Sequence, residues 1–180
     1  DLSELDTSSV SAMSIMFEGC ESLRSISLSG LDTSKLSNMS NMFYGCSKLE
    51  SIGLENVDLR SVDVMMCTFY NCESLKSVDL SGANPSSPVH MTEVFRGCTA
   101  LKSVNLSNMN MSNLNLAFKD CVSLESVDLP NASISTAPLM GEMFVGCSSL
   151  VSVDFSVMKI AKVGNINGLF NECAALAPVH

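Results

Sequence analysis

Apolar residues recur along this chain in a fixed order. In the stretch Asn38–Leu54, NMSNMFYGCSKLESIGL, a Phe stands three residues before a Cys, a Leu three after it, an Ile six after and a Leu eight after. The same frame repeats at Cys20, Cys46, Cys72, Cys98, Cys121, Cys147 and Cys173, at intervals of 26, 26, 26, 23, 26 and 26 residues. Every one of these cysteines has its Phe (Phe17, Phe43, Phe69, Phe95, Phe118, Phe144, Phe170) and its Leu (Leu23, Leu49, Leu75, Leu101, Leu124, Leu150, Leu176). A β-branched residue follows six after, from Ile26 to Val179, and a Met, Leu or Ile precedes by seven, from Met13 to Ile166. Self-similarity at such a period marks stacked repeats, in which each unit buries its apolar side against its neighbours.

Two kinds of element are predicted within a repeat. Leu-x-x-Ile/Val-x-Leu alternates as a short strand does, and successive strands would pair in parallel about 4.8 Å apart. Met-x-x-Met-Phe, as in Met39, Met42 and Phe43, has i, i+3, i+4 spacing, which places three apolar side chains on one face of a short helix. Ser11 and Ser37 are placed to cap such helices. The expected fold class is therefore α/β. Its form is a solenoid with a parallel sheet of short strands on one face and short helices or helical turns on the other. It makes a single domain over 1–180, of about seven repeats.

The departures from the frame predict loops. Asn84-Pro85-Ser86-Ser87-Pro88 excludes helix and central strand and predicts an extended, exposed loop. Pro130 and Pro138 bracket another loop. The fifth repeat lacks three residues between Leu106 and Phe118, which tightens one connection. Asn71 replaces the Gly of Gly19 and Gly45, so a left-handed residue is expected there. The seventh repeat, with Gly164 and Gly168, matches least well.

Composition adds bounds. Net charge is −9, yet only 16% of residues are charged, so the polar surface is expected to be Ser, Asn and Thr. An acidic chain without a basic patch argues against nucleic acid. No apolar run reaches the length of a membrane span. The chain opens and closes in mid-repeat, with Leu2 aligned to Leu28 and the last residues Val179 and His180 in mid-strand. It reads as an excerpt of a longer array whose caps lie elsewhere.

The unit resembles the leucine-rich repeat, whose core is L-x-x-L-x-L. More closely it is similar to the BspA-like family of bacterial and protist surface proteins, with F-x-G-C-x-x-L-x-x-[IV]-x-L units. LDTSKLSNMSNMFYGCSKL matches the 26-residue form. The resemblance covers the whole chain. It implies a right-handed leucine-rich-repeat solenoid and a non-catalytic, surface-displayed adhesion or interaction module. Its partner would be a protein or glycan on a host or neighbouring cell. The location would be extracellular or at the cell surface, with signal and anchor outside this segment. The alternative is a structural spacer with no ligand.

Candidate chemistry is sparse. Seven cysteines share one repeat position, so they are expected as a buried column of free thiols. Cys67, off that column, is the candidate reactive thiol. Zinc is not expected, because no close Cys/His pair exists. The outward strand positions carry Ser77, Ser103, Ser126 and Ser152, and then Asp79, Asn105, Asp128 and Asp154. Two readings stand for them: a polar, acidic strip that binds a partner, or a solvated ladder that keeps the sheet soluble. Asp128 and Asp154 alone lack the oxygen ligands calcium needs. Tyr44 and Tyr70, two before the ladder Cys, are expected exposed on neighbouring turns. No catalytic or cofactor motif occurs, and a Ser–His pair would have to use His90. A monomer without cofactor is expected.

Overall fold

The computed structural model describes residues 2, 4–156, 159–160 and 163–177. The strand expected at Val179 and His180 lies outside them. The chain coils as a parallel β-solenoid. The expected sheet forms from β1 (Ser25–Ser27), β2 (Ser51–Gly53), β3 (Ser77–Asp79), β5 (Ser103–Asn105) and β7 (Ser126–Asp128). β1 pairs with β2, and β3 with β5 and then β7, each in register at equivalent repeat positions. Ser77, Ser103 and Ser126 are thereby partners, as are Asp79, Asn105 and Asp128.

A second parallel sheet joins β4 (Val89–His90), β6 (Asn110–Asn113), β8 (Ser133–Leu139) and β9 (Lys159–Ile160). Single bridges extend the same line through Ala12, Asn38 and Val64 at one end and from Leu139 to Asn165 at the other. The segment between Pro130 and Pro138, expected as a loop, carries β8, with a register irregularity opposite Met111 and Asn113. The Pro85–Pro88 segment is a loop, exposed except for Pro85.

Among the described residues there is no helix, which corrects the expected α/β class and the helices placed at Ser11 and Ser37. Around Met39–Cys46 the backbone makes consecutive tight turns instead, with Met42 N donating to Met39 O, Tyr44 N to Asn41 O and Cys46 N to Phe43 O. Alternate N–H groups point along the solenoid axis: Met39 N donates to Val64 O, Asn41 N to Met66 O, Phe43 N to Thr68 O and Gly45 N to Tyr70 O. A helix would need those donors for its own i→i−4 bonds. Left-handed residues enforce the turn geometry at two positions per repeat. One set is Ile15, Asn41, Cys67, Glu93, Leu116, Glu142 and Gly168; the other includes Gly45, Asn71, Gly97 and Asp120. Asn71 has φ 55°, as its column predicts. Gly168 falls in register with Asn41, so the seventh repeat, the loosest match in sequence, keeps the turn geometry of the others.

The columns form the core. Phe43, Phe69, Phe95, Phe118 and Phe144 are fully buried. From Phe17 to Phe170 their rings stack in one file, with centroids 5.3–5.6 Å apart. The ladder leucines from Leu49 to Leu150 are also completely buried.

Candidate functional site

The outward face of the β3–β5–β7 sheet brings together six of the eight residues expected there. Ser77, Asp79, Ser126 and Asp128 are exposed, and Ser103 and Asn105 half-buried. Ser152 and Asp154 are exposed but lie beyond the last strand of that sheet.

The acidic positions are not equivalent. Asp79 Oδ1 accepts the Ser81 N–H at 2.8 Å, and Asp154 Oδ1 accepts both the N–H and the hydroxyl of Ser156, at 2.8 and 2.6 Å. Asn105 Oδ1 accepts the same pair of groups from Ser107. These are Asx turns, in which the side chain caps the bend that ends the strand. Ser81, by side chain and then backbone, holds the Asp79 carboxyl below its usual range, and Ser156 does the same to Asp154. Asp128 departs from this pattern because Pro130 stands where the donor N–H would be. The [Asp/Asn]-x-Ser spacing was the sequence signal for this role.

Charges flank the face. Glu50 bridges Arg24 of the preceding turn at 3.0 Å and Lys76 of the following turn at 2.8 Å. On the ridge of tight turns Tyr44 and Tyr70 stack at 4.6 Å, with the Arg96 guanidinium 5.5 Å from the Tyr70 ring centre. Both tyrosines are half-buried in this stack rather than freely exposed.

The cysteine column is buried along its middle, while Cys20, expected buried, is exposed and Cys173 is half-buried. All eight thiols are free, and those from Cys46 to Cys147 on the ladder are buried. From Cys46 to Cys173 each ladder Sγ donates to the Phe carbonyl of the preceding turn, as Cys98 does to Phe69 O at 3.0 Å and Cys147 to Phe118 O at 3.0 Å. Burial pushes Cys98 and Cys147 up to about 12. Cys67, half-buried at a left-handed turn with φ 52°, is also raised, by desolvation and then by Glu93, so its environment disfavours the thiolate. Among the described residues no cluster of three potential ligands could hold a metal. His90 Nε2 lies 2.8 Å from Thr92 Oγ1. No helix among the described residues is long and apolar enough to cross a membrane.

Sequence reasoning missed one feature of this face. The strand ladder breaks between β2 and β3, and a cleft of about 370 Å³ opens there. The signal was present in the column Leu31, Val57, Ala83, Met109, where Ala83 is smaller than the residues one turn to either side.

Turns stacked through parallel inter-turn strands and one aromatic file define a parallel β-solenoid repeat protein, a class suited to protein interaction through its extended surface. A family model described as BspA type leucine rich repeat region matches residues 69–179 in 6 copies. Another, described as Mycoplasma protein of unknown function, DUF285, matches residues 1–109. The chain belongs to the BspA-type leucine-rich repeat family. A crystal structure of a leucine-rich repeat protein from Bacteroides ovatus ATCC 8483 is similar at 17% identity over 91% of this chain and 68% of that one, with a TM-score of 0.28. No curated protein matches the chain.

Proposed function

We propose that the chain is a non-catalytic interaction or adhesion module, displayed at the cell surface or secreted. It binds a host, matrix or partner macromolecule, protein or glycan, through its solenoid surface, and works as a monomer and as one solenoid unit over 1–180. The carrying observation is the in-register row on β3, β5 and β7. Backbone ladders and buried columns fix the fold without using Ser77, Ser103, Ser126 or the Asp128 carboxylate, so these outward positions are free to serve recognition. Membership of the BspA-type family supports a surface or secreted location.

A spacer with no ligand is the second reading, and the Asx turns favour it, since they give Asp79 and Asp154 a structural duty. The two readings separate on one experiment. The intact chain is applied to an array of extracellular-matrix proteins and glycans. Asp79→Asn with Asp128→Asn removes both charges while keeping the Oδ1 acceptor of the Asp79 turn, and is expected to weaken a saturable interaction about tenfold. Absence of saturable binding to every element of the array would leave the spacer.

A further inference from the structure

At the β1/β2, β3/β5 and β5/β7 junctions one rung closes the end of the strand: Leu28 N donates to Gly53 O at 3.0 Å, Leu80 N to Asn105 O at 2.9 Å, and Leu106 N to Asp128 O at 2.8 Å. The equivalent rung from Leu54 N to Asp79 O is not made, and β2 and β3 do not pair. Leu28, Leu80, Leu106 and Leu129 are buried, whereas Leu54 in the same column is half-buried. The cleft at this split is walled by Ile52, Leu54, Val57, Leu59, Leu80 and Ala83. Glu55 and Asp79 stand at its rim, both exposed, and no Lys, Arg or aromatic residue lines it.

We propose that this cleft is a peptide-binding site. It receives one aliphatic side chain of a partner protein from a segment that carries Lys or Arg beside it. Resting on the interaction-module reading, this names the place and the partner chemistry. The volume lies at the lower end of the range for ligand sites and suits one or two side chains. Six apolar walls select an aliphatic group. The two rim carboxylates, in a chain of net charge −9, select cationic neighbours. The unpaired Leu54 N–H and Asp79 carbonyl can bond the visiting backbone, as exposed strand edges do. A glycan is disfavoured, because the wall offers no aromatic platform for a sugar ring.

The full chain, labelled with nitrogen-15, is titrated with acetyl-Gly-Lys-Leu-Lys-Gly-amide and followed by amide chemical shifts. Saturable shifts at Leu54, Val57 and Gly82 are expected, with none from the Glu-Leu-Glu or Lys-Ser-Lys analogues. Ala83→Met, the residue found at Met109 one turn on, fills the cleft and should abolish the shifts. Glu55→Gln with Asp79→Asn leaves the cleft open and should weaken binding about tenfold, which keeps the test decisive if the Met variant misfolds. No saturable shift at these amides, or shifts indifferent to both variants, would overturn the site. The two readings fail separately: a partner captured on the array whose binding ignores Ala83→Met but needs Asp128 overturns the cleft and leaves the module standing, whereas no saturable binding to the array overturns the module.

Discussion

At the scale of single residues, the repeat makes equivalent positions comparable, and two give direct expectations. Ile15 holds φ 65° at a column where Asn41 and Gly168 sit without strain. It is 56% exposed, so little packing is lost by changing it. A β-branched residue in the left-handed region costs roughly 1–2 kcal/mol. Ile15→Asn should therefore stabilise the chain by about 1 kcal/mol, raising the calorimetric Tm by about 2–4 °C. The second expectation concerns the thiols. Cys98 and Cys147 hold their protons to about pH 12 when folded. Unfolded, they release them above about pH 8.5. The native state thus binds more protons than the unfolded one between those limits, and stability must fall as pH rises through them. The slope approaches about 1.4 kcal/mol per pH unit for each buried thiol. Urea melts between pH 8 and 11 check this: the wild type should weaken steeply, Cys98→Ala less steeply, and equal slopes would show that the thiol does not titrate with folding.

At the scale of elements, the strands and the turns differed in legibility. Leu-x-x-Val-x-Leu predicted the strands and their register because period two has few competing explanations. The i, i+3, i+4 pattern at Met39, Met42 and Phe43 was ambiguous, since consecutive three-residue turns bring the same side chains inward as a helix does. What separates the two is the recurrence of left-handed residues every four positions, visible as Asn41 with Gly45 and obscured where Glu93 or Leu116 takes the place of Asn. Pro138 likewise misdirected the reading toward a loop, though it lies inside β8. Of the outward positions, Ser77, Asp79, Ser103, Asn105, Ser126 and Asp128 lie on β3 to β7, but the capping duty of Asp79 depends on the bend that follows, which strand alternation alone does not describe. Far-UV circular dichroism should show a β-type minimum without the helical double minimum. Within the aromatic file, Phe95 stacks on Phe69 and Phe118, both at 5.4 Å. Phe95→Ala should cost about 3–5 kcal/mol, measured by denaturant melts, because a rigid stack on both sides prevents collapse into the space.

At the scale of the whole molecule, stability is a sum of interfaces between neighbouring turns, so the weakest interface sets where the chain opens first. The β2/β3 junction has a complete ridge of tight turns: Met39, Asn41, Phe43 and Gly45 all donate across it. On the opposite side it lacks the Leu54 rung and holds a cleft. What bridges that side flanks the cleft: before it the Glu50 carboxylate meets Lys76 Nζ at 2.8 Å, Lys76 N reaches Glu50 O at 3.4 Å and Ser74 N donates to Ser47 O at 3.1 Å, and beyond it Ser86 N donates to Arg60 O at 2.9 Å. Both partners of the ion pair are exposed, so it contributes little. The junction is thus built to part on the sheet face while staying closed along the ridge. Hydrogen exchange makes this measurable amide by amide. Leu28, Leu80 and Leu106 should be protected, since their N–H groups sit in rungs beneath buried side chains, and Leu54 should exchange fastest of the four by orders of magnitude. The Phe43 and Gly45 amides, across the same two turns, should be as slow as those of Phe95 and Gly97. Fast exchange on both sides would mean that the turns separate as whole units, and equal protection of all four leucines would mean that the split closes in solution.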